Sequence, residues 1–323
     1  MPTLSIDALL ELPAPRGYIP AAAPLPPSAG PVLPLPLPES FGVEEVPAES
    51  AALAALLDGI LATAAAARAR MLWDDASRLA LSGAAVAEHG GDGAWMQRFA
   101  NEAAAVALLA GTPRMEDVAE DGDGDDGDGD NRDGDDGDGA RGSRLPAAAP
   151  SAEEARARVN RAIAAALAGD GDAATERLAA AERAVAPGDE FARLLVLANR
   201  AQLLLDAGEL DAAARTAADA LRLARREKED YWTALAGIPV ALAHLARGRR
   251  NAARAQLGDA VRLFARFGDA LRQVQCHYLL GEVAYIGEDP IRAGAHYRDA
   301  LAIARPGGAQ EWIELLTLRF EHR

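Results

Sequence analysis

Small residues recur every forty positions along the C-terminal half of the chain, and this period constrains the fold more than any other feature. Alanine occupies two phases of the period, seven residues apart, in four successive units: Ala173, Ala213, Ala253 and Ala293 on the first phase, and Ala180, Ala220, Ala260 and Ala300 on the second. Seven residues are about two helical turns, so both phases lie on one helix face. The pattern therefore predicts helices that approach one another closely at small side chains.

A second helix is expected before each of these helices, separated from it by a glycine-containing turn. The turn residues are Gly169, Gly171, Gly208, Gly248 and Gly287, and the earlier helix carries Ala201, Ala241 and Gly281 at one phase. Large residues flank the small ones at phases of their own, namely Leu223, Leu263 and Ile303, and Leu205, Leu245 and Tyr285. One helix pair cannot bury its apolar stripe unless it stacks on the next. We therefore predict an all-α stack of antiparallel helix pairs.

The order of these residues resembles the tetratricopeptide repeat (TPR) family. That family has a small residue in the first helix, a turn, and small residues seven apart in the second helix. The matching sets are Ala201, Gly208, Ala213 and Ala220; Ala241, Gly248, Ala253 and Ala260; and Gly281, Glu288, Ala293 and Ala300. The unit is longer than the family's 34 or so residues, similar to the elongated form in sensor arms of large bacterial regulators. The resemblance implies a right-handed superhelix over roughly half the chain, with a weaker first unit because Arg161 takes the small position.

Composition divides the chain into four segments. Residues 1–47 form a Pro-rich tail, 48–119 an N-terminal helical segment, 120–150 an acidic low-complexity linker, and 151–323 the repeat domain. The repeat domain is expected to hold four repeats and a C-terminal capping helix over 311–320, in which Trp312 and Phe320 close the core.

The Pro-rich tail contains 12 prolines in 47 residues. Proline lacks the amide donor of helices and sheets and favours extended polyproline II, so we expect a disordered tail. An alternative is a docking strip for an aromatic groove, because four prolines have PxxP spacing: Pro24, Pro27, Pro31 and Pro34.

The N-terminal helical segment is expected to contain helices over 51–71, 73–87 and 94–110. Trp95 and Gly111 have the spacing of Trp232 and Gly248. With the same shift, Ala76 and Gly83 fall on the positions of Ala213 and Ala220, so we interpret the segment as two degenerate repeats.

Most of the formal net charge of −16 lies between Glu116 and Asp138, a stretch that overlaps the acidic linker and contains 13 acids and one arginine. From residue 151 onward there are 24 acids and 24 bases, which gives no basic surface for nucleic acid. The dense like charges favour a disordered linker, with weak divalent-cation binding as an alternative. A shaped calcium loop is disfavoured because no window reads DxDxDG, and the two GxGxxG matches are by-products of the Asp-Gly repeat.

The residues that could support catalysis or metal binding are few. Cys276 and His277 are adjacent, so a helix would point them apart, and Cys276 is better interpreted as a small buried side chain. His244, His277 and His296 have no helical ligand spacing, so we expect no metal site. We predict a non-enzymatic protein without catalytic residues or cofactors.

Arginines cluster in the second and third repeats, with acids interleaved: Arg222, Arg225, Arg226, Arg247, Arg249, Arg250 and Arg254. A solvated face is one interpretation, and a site for an acidic partner or for the chain's own acidic linker as a latch is the other. Pro239 lies inside a first helix, where it either makes a tolerated bend or widens a groove.

The TPR resemblance places partner contacts on the inner wall formed by the first helices. It implies six candidate partner-binding residues: Asn199, Gln202, Leu242, Tyr278, Glu282 and Tyr285. We expect an interaction scaffold that binds a partner peptide or helix, and that replacing Tyr278 and Tyr285 by alanine abolishes capture without unfolding the protein. The alternative is a ligand- or partner-sensing regulatory protein.

Location and further partners are inferred from what the sequence lacks. With one cysteine, no secretory signal and no apolar run of membrane-spanning length, we expect a cytoplasmic protein without membrane or nucleic-acid partners.

Overall fold

The computed structural model describes residues 18–22, 50–110 and 152–321. These ranges contain twelve α-helices: α1 (Ser50–Ala69), α2 (Trp73–His89), α3 (Gly93–Leu109), α4 (Ala152–Leu167), α5 (Gly171–Ala184), α6 (Glu190–Asp206), α7 (Leu210–Glu227), α8 (Asp230–Ala246), α9 (Arg250–Phe267), α10 (Ala270–Ile286), α11 (Pro290–Gly307) and α12 (Gln310–Glu321). Between residues 18 and 321, the described part of the chain has no β-strand, so the all-α prediction is confirmed.

Consecutive helices pack as pairs joined by short connections. The pairs are α4 with α5, α6 with α7, α8 with α9, and α10 with α11, and α12 packs on α11. Because each connection is only a few residues long, the two helices of a pair run antiparallel. The first helices of successive pairs begin forty residues apart at Glu190, Asp230 and Ala270, which is the period of the small residues.

Alanine side chains line the packed faces in three of the four units. Ala213, Ala220, Ala253, Ala260, Ala293 and Ala300 are at most 1% exposed. The first unit differs, because Ala173 and Ala180 are half-buried while Ala174 and Ala181 are fully buried. The starts of α5 and α7 are 39 residues apart, so the buried phase there moves by one residue.

Glycine at position 281 sets the distance between α10 and α11. A Cβ atom added to Gly281 would lie 2.2 Å from Cε1 of Tyr297, which is closer than any real contact. The missing side chain therefore lets the Tyr297 ring pack directly on the α10 backbone, as the small residue in that position was expected to do.

Each of the ten connections that lie wholly within the described ranges contains one residue in the left-handed backbone region. These residues are Met71, Gly91, Gly169, Gly188, Gly208, Lys228, Gly248, Gly268, Glu288 and Gly308. In the fourth unit Glu288, with φ 58°, takes this role, while the expected turn residue Gly287 has φ −77°.

The N-terminal helices follow the predicted spacing. Gly93 and Leu109, the ends of α3, each lie 137 residues before Asp230 and Ala246, the ends of α8. The same shift relates Trp95 to Trp232. Helix α3 packs directly on α4, so the N-terminal helices extend the packed array.

Helix α1 is the most apolar helix of the N-terminal segment. Within the described ranges it alone is long and apolar enough to cross a membrane by length and composition, a feature that core helices of soluble proteins share. In this structure α1 packs on α2 and α3 and also contacts α10. The expectation that no such run exists overlooked this Ala-rich helix.

Helix α12 ends the described array. Trp312 is 4% exposed and packs edge-on against the ring of Tyr278. Phe320 is 38% exposed, so only the first of the two expected capping aromatics lies in the core.

Candidate functional site

A short piece of the N-terminal tail, residues 18–22, lies against the helical array. Tyr18 and Ile19 are 2% exposed and Ala21 is fully buried. For these five residues the expectation of disorder does not describe the structure. The prolines at PxxP spacing, from Pro24 to Pro34, and the acidic linker lie outside the described residues.

The side-chain amide of Asn199, on α6, forms hydrogen bonds with both the N–H and the C=O of Ile19. The Ile19 N–H donates to Oδ1 of Asn199 at 2.7 Å, and Nδ2 of Asn199 donates to the Ile19 carbonyl at 2.9 Å. The second hydrogen of Nδ2 reaches the Leu195 carbonyl at 2.8 Å, which orients the side-chain amide.

Asn160, on α4, repeats this arrangement two residues further along the tail. The Ala21 N–H donates to Oδ1 of Asn160 at 2.7 Å, and Nδ2 of Asn160 donates to the Ala21 carbonyl at 3.3 Å. Nδ2 also reaches the Asn101 carbonyl on α3 at 3.3 Å. We call Asn160 and Asn199 the asparagine clamp.

The clamp bonds the backbone groups of two alternate residues, Ile19 and Ala21. In an extended chain the N–H and C=O groups of residues i and i+2 point to the same edge, as Ile19 and Ala21 do here. Pro20 lies between them, where its missing N–H removes no bond to the clamp. The Ala22 N–H donates to the Pro20 carbonyl at 2.9 Å, so a three-residue turn is centred on Ala21, the second clamped residue.

Tyr18 anchors the start of the clamped piece. Its hydroxyl donates to Oδ2 of Asp206 at 2.5 Å. The other carboxylate oxygen of Asp206 accepts a hydrogen bond from Nε2 of Gln202 at 2.8 Å, so Gln202 positions the carboxylate. The side chains of Tyr18, Ile19 and Ala21 belong to the main apolar core of the array.

Helix α1 contributes to the same core and is fixed by buried charged groups. Ala65 and Ala69 of α1 belong to the core that contains Ile19. Nε of Arg68 lies 2.6 Å from Oε1 of Glu102 on α3, and the two side chains are 7% and 0% exposed. Burial would lower the pKa of Arg68, but the Glu102 carboxylate favours the charged form and the pKa stands raised.

Tyr231 and Asp269 continue this network into α8 and the start of α10. The Tyr231 hydroxyl donates to Oδ2 of Asp269 at 2.9 Å, and the carboxylate also caps α10 through the Arg272 N–H. Burial and the Asp269 carboxylate raise the pKa of Tyr231, so its hydroxyl stays a donor. Hydrogen bonds cross from the N-terminal helices to the C-terminal array at Asn101 on α3, whose Nδ2 donates to the Glu153 carbonyl at 3.0 Å and to Oε2 of Glu153 at 2.9 Å on α4.

The six residues proposed from the sequence fall into two groups. Asn199 binds Ile19 directly and Gln202 acts through Asp206, so both belong to the site that holds residues 18–22. Tyr278 is fully buried, Leu242 is 1% exposed, and Glu282 is 4% exposed and accepts the Tyr297 hydroxyl at 2.6 Å, so these three are core residues. Tyr285 is 51% exposed.

Sequence reasoning missed the second half of the clamp. Asn160 and Asn199 are 39 residues apart, and the next units carry Pro239 and Leu279 at the corresponding position. The recurrence of asparagine at this position was the sequence pattern that could have identified Asn160. No sequence pattern pointed to Asp206, because its role depends on Tyr18, which is far away in the sequence.

The remaining polar side chains of interest lie on α10 and α11. Cys276 is fully buried, and burial raises the pKa of its thiol, so the interpretation as a buried filler is confirmed. His277 and His296 have no ligand spacing along one helix, which was the reason for expecting no metal site, but the helix pair brings their Nδ1 atoms within 3.4 Å. Spacing along a single helix could not show this.

The arginine-rich zone is partly neutralised by ion pairs between helices. Arg247 lies 3.1 Å from Asp211, and Arg226 lies 3.2 Å from Glu190. These contacts favour the solvated-face interpretation, while the acidic latch stays a prediction.

Pro239 lies inside α8, which continues from Asp230 to Ala246.

Comparison of the chain with known proteins finds no matching family model and no matching curated relative.

Proposed function

We propose that this protein is a non-enzymatic interaction scaffold of the TPR kind that binds an extended segment of a protein partner in a superhelical groove. The observation that carries the proposal is the asparagine clamp. Each of its two amides engages both the N–H and the C=O of one residue in the clamped tail.

Backbone recognition of this kind suits a peptide partner. Main-chain hydrogen bonds supply affinity, and pockets for particular side chains supply selectivity, as in other modes of extended-peptide binding. Here selectivity comes from an aromatic hydroxyl at Asp206 and from small or apolar residues at the two clamped positions. The balance of 24 acids and 24 bases in the repeat domain also favours a protein over a nucleic acid.

The tail residues 18–22 act as a resident ligand in this proposal. A partner segment must replace them, so the affinity of the intact chain is lower than that of an open groove. This competition also supports the alternative of a partner-sensing regulatory protein, in which release of the tail is the signal.

The test uses the full chain with residues 18–22 replaced by glycine and serine, which opens the groove. A synthetic peptide of residues 15–25 should bind this opened chain saturably, and bind the intact chain more weakly. In the opened chain, Asn160→Ala or Asn199→Ala should each weaken binding about tenfold, because each removes two hydrogen bonds of about 0.5–1.5 kcal/mol. Fluorescence anisotropy of a labelled peptide measures these affinities.

Asn251→Ala is the matched control, since Asn251 is an exposed asparagine on α9, away from the clamp. It should leave the affinity unchanged. Equal binding to the opened and intact chains, with no effect of either clamp substitution, would reject the proposal.

A further inference from the structure

A group of two histidines and one aspartate joins α10 to α11, apart from the groove. His277 lies on α10, and His296 and Asp299 lie on α11. Nδ1 of His277 is 3.4 Å from Nδ1 of His296 and 3.9 Å from Oδ2 of Asp299. One potential ligand atom from each residue lies within 4.8 Å of the other two. We propose that these three side chains bind a zinc ion.

The spacing of the donor atoms suits zinc. Tetrahedral zinc binds imidazole nitrogen and carboxylate oxygen at about 2.0–2.2 Å, which puts neighbouring ligand atoms about 3.3–3.5 Å apart. The two Nδ1 atoms already have this separation. The Asp299 carboxylate is 60% exposed and lies 3.9 Å from Nδ1 of His277, so it is the third candidate ligand.

The contact between the two imidazole rings also suits a metal. Without an ion, the Nδ1 contact requires one ring to donate and the other to accept. With zinc, both Nδ1 lone pairs can point at the ion.

The site connects the two helices of one pair and is open on one side. The side chain of His277 is 15% exposed, so an ion reaches the group from the Asp299 side. Three protein ligands leave the fourth tetrahedral position for water or for a side chain of a partner. Binding to the folded protein alone should raise its melting temperature.

The experiment is calorimetric titration of Zn²⁺ into the metal-free, untagged full chain, with excess Mg²⁺ to occupy hard-cation sites of the acidic linker. We expect one zinc per chain, a higher melting temperature, and visible absorption of tetrahedral type when Co²⁺ replaces zinc. His277→Ala and His296→Ala should each weaken zinc binding by about 100-fold or more, since changes to groups that only orient a ligand already cost about 10–100-fold. Asp299→Asn, an exposed substitution, should weaken it less.

His244→Ala on α8 is the matched control, because it removes a histidine outside the group and should leave zinc affinity unchanged. Circular dichroism checks that each variant folds. The proposal is overturned if the wild-type chain binds no zinc, or if binding persists in both histidine variants and Asp299→Asn has no effect. Persistent binding would place the ion on the acidic linker.

Discussion

Replacing Glu102 by glutamine is expected to lower the free energy of unfolding by about 3–5 kcal/mol, because the substitution removes one charge of a buried ion pair and leaves the other. Glu102 is fully buried and Arg68 is 7% exposed in its side chain, so water cannot replace the lost carboxylate. The pair links α1 to α3, so the loss should also loosen the N-terminal helices. Urea unfolding followed by circular dichroism measures the change.

A double variant distinguishes this cause from general damage. Arg68→Met with Glu102→Leu removes both charges and should recover much of the lost stability, as apolar replacement of a buried pair often does. Asp219→Asn is the control, because Asp219 pairs with Arg222 on the exposed surface and such pairs contribute about 0–1 kcal/mol. Unchanged stability of Glu102→Gln would show that the pair does not join the helices as described.

Replacing Tyr278 by alanine is expected to cost about 3–5 kcal/mol of unfolding free energy, the range for truncating a buried aromatic residue. Tyr278 is fully buried and its ring contacts those of Tyr297 and Trp312. This corrects the expectation that Tyr278 and Tyr285 could both be truncated without unfolding the protein. Thermal and urea unfolding of the single variants measure the difference.

Tyr285→Ala is the comparison within the same helix. Tyr285 is 51% exposed at the C-terminal end of α10, so its truncation should change stability by about 0.5 kcal/mol or less. Equal losses in the two variants would contradict the placement of Tyr278 in the core.

The sequence predicted the helix pairs because their packing requires small residues at fixed phases. Ala213 and Ala220 are buried for that reason, and the helix ends follow the same period. The first unit was shifted by one residue because its spacing is 39, which an Ala-rich stretch cannot reveal when Ala173 and Ala174 are adjacent.

The site that holds residues 18–22 was only half predictable. Asn199 and Gln202 were named because the TPR resemblance assigns partner contacts to the first helices, and in the structure they hold this piece of the tail. Tyr278 lies on an equivalent helix, but α10 packs against α9, α11 and α1, so nearly all of its sides are covered. Periodicity within one helix cannot show how many neighbours surround it.

Periodic patterns in the sequence could not predict contacts between distant parts of the chain. Ile19 and Asn199 are 180 residues apart, and composition alone marked the tail as disordered. His277 and His296 lie on separate helices, 19 residues apart, so their meeting depends on how the pair is packed. Both features depend on tertiary packing, which a single helix or tail segment does not encode.

Amide hydrogen exchange at Ile19 and Ala21 tests the clamped tail most directly. The Ile19 N–H donates to Asn199 and the Ala21 N–H to Asn160, both away from solvent. We predict slow exchange at these two amides in the intact chain, and fast exchange in a variant carrying Asn160→Ala and Asn199→Ala. Exchange in the intact chain at the rate of a free peptide of residues 15–25 would contradict the clamp.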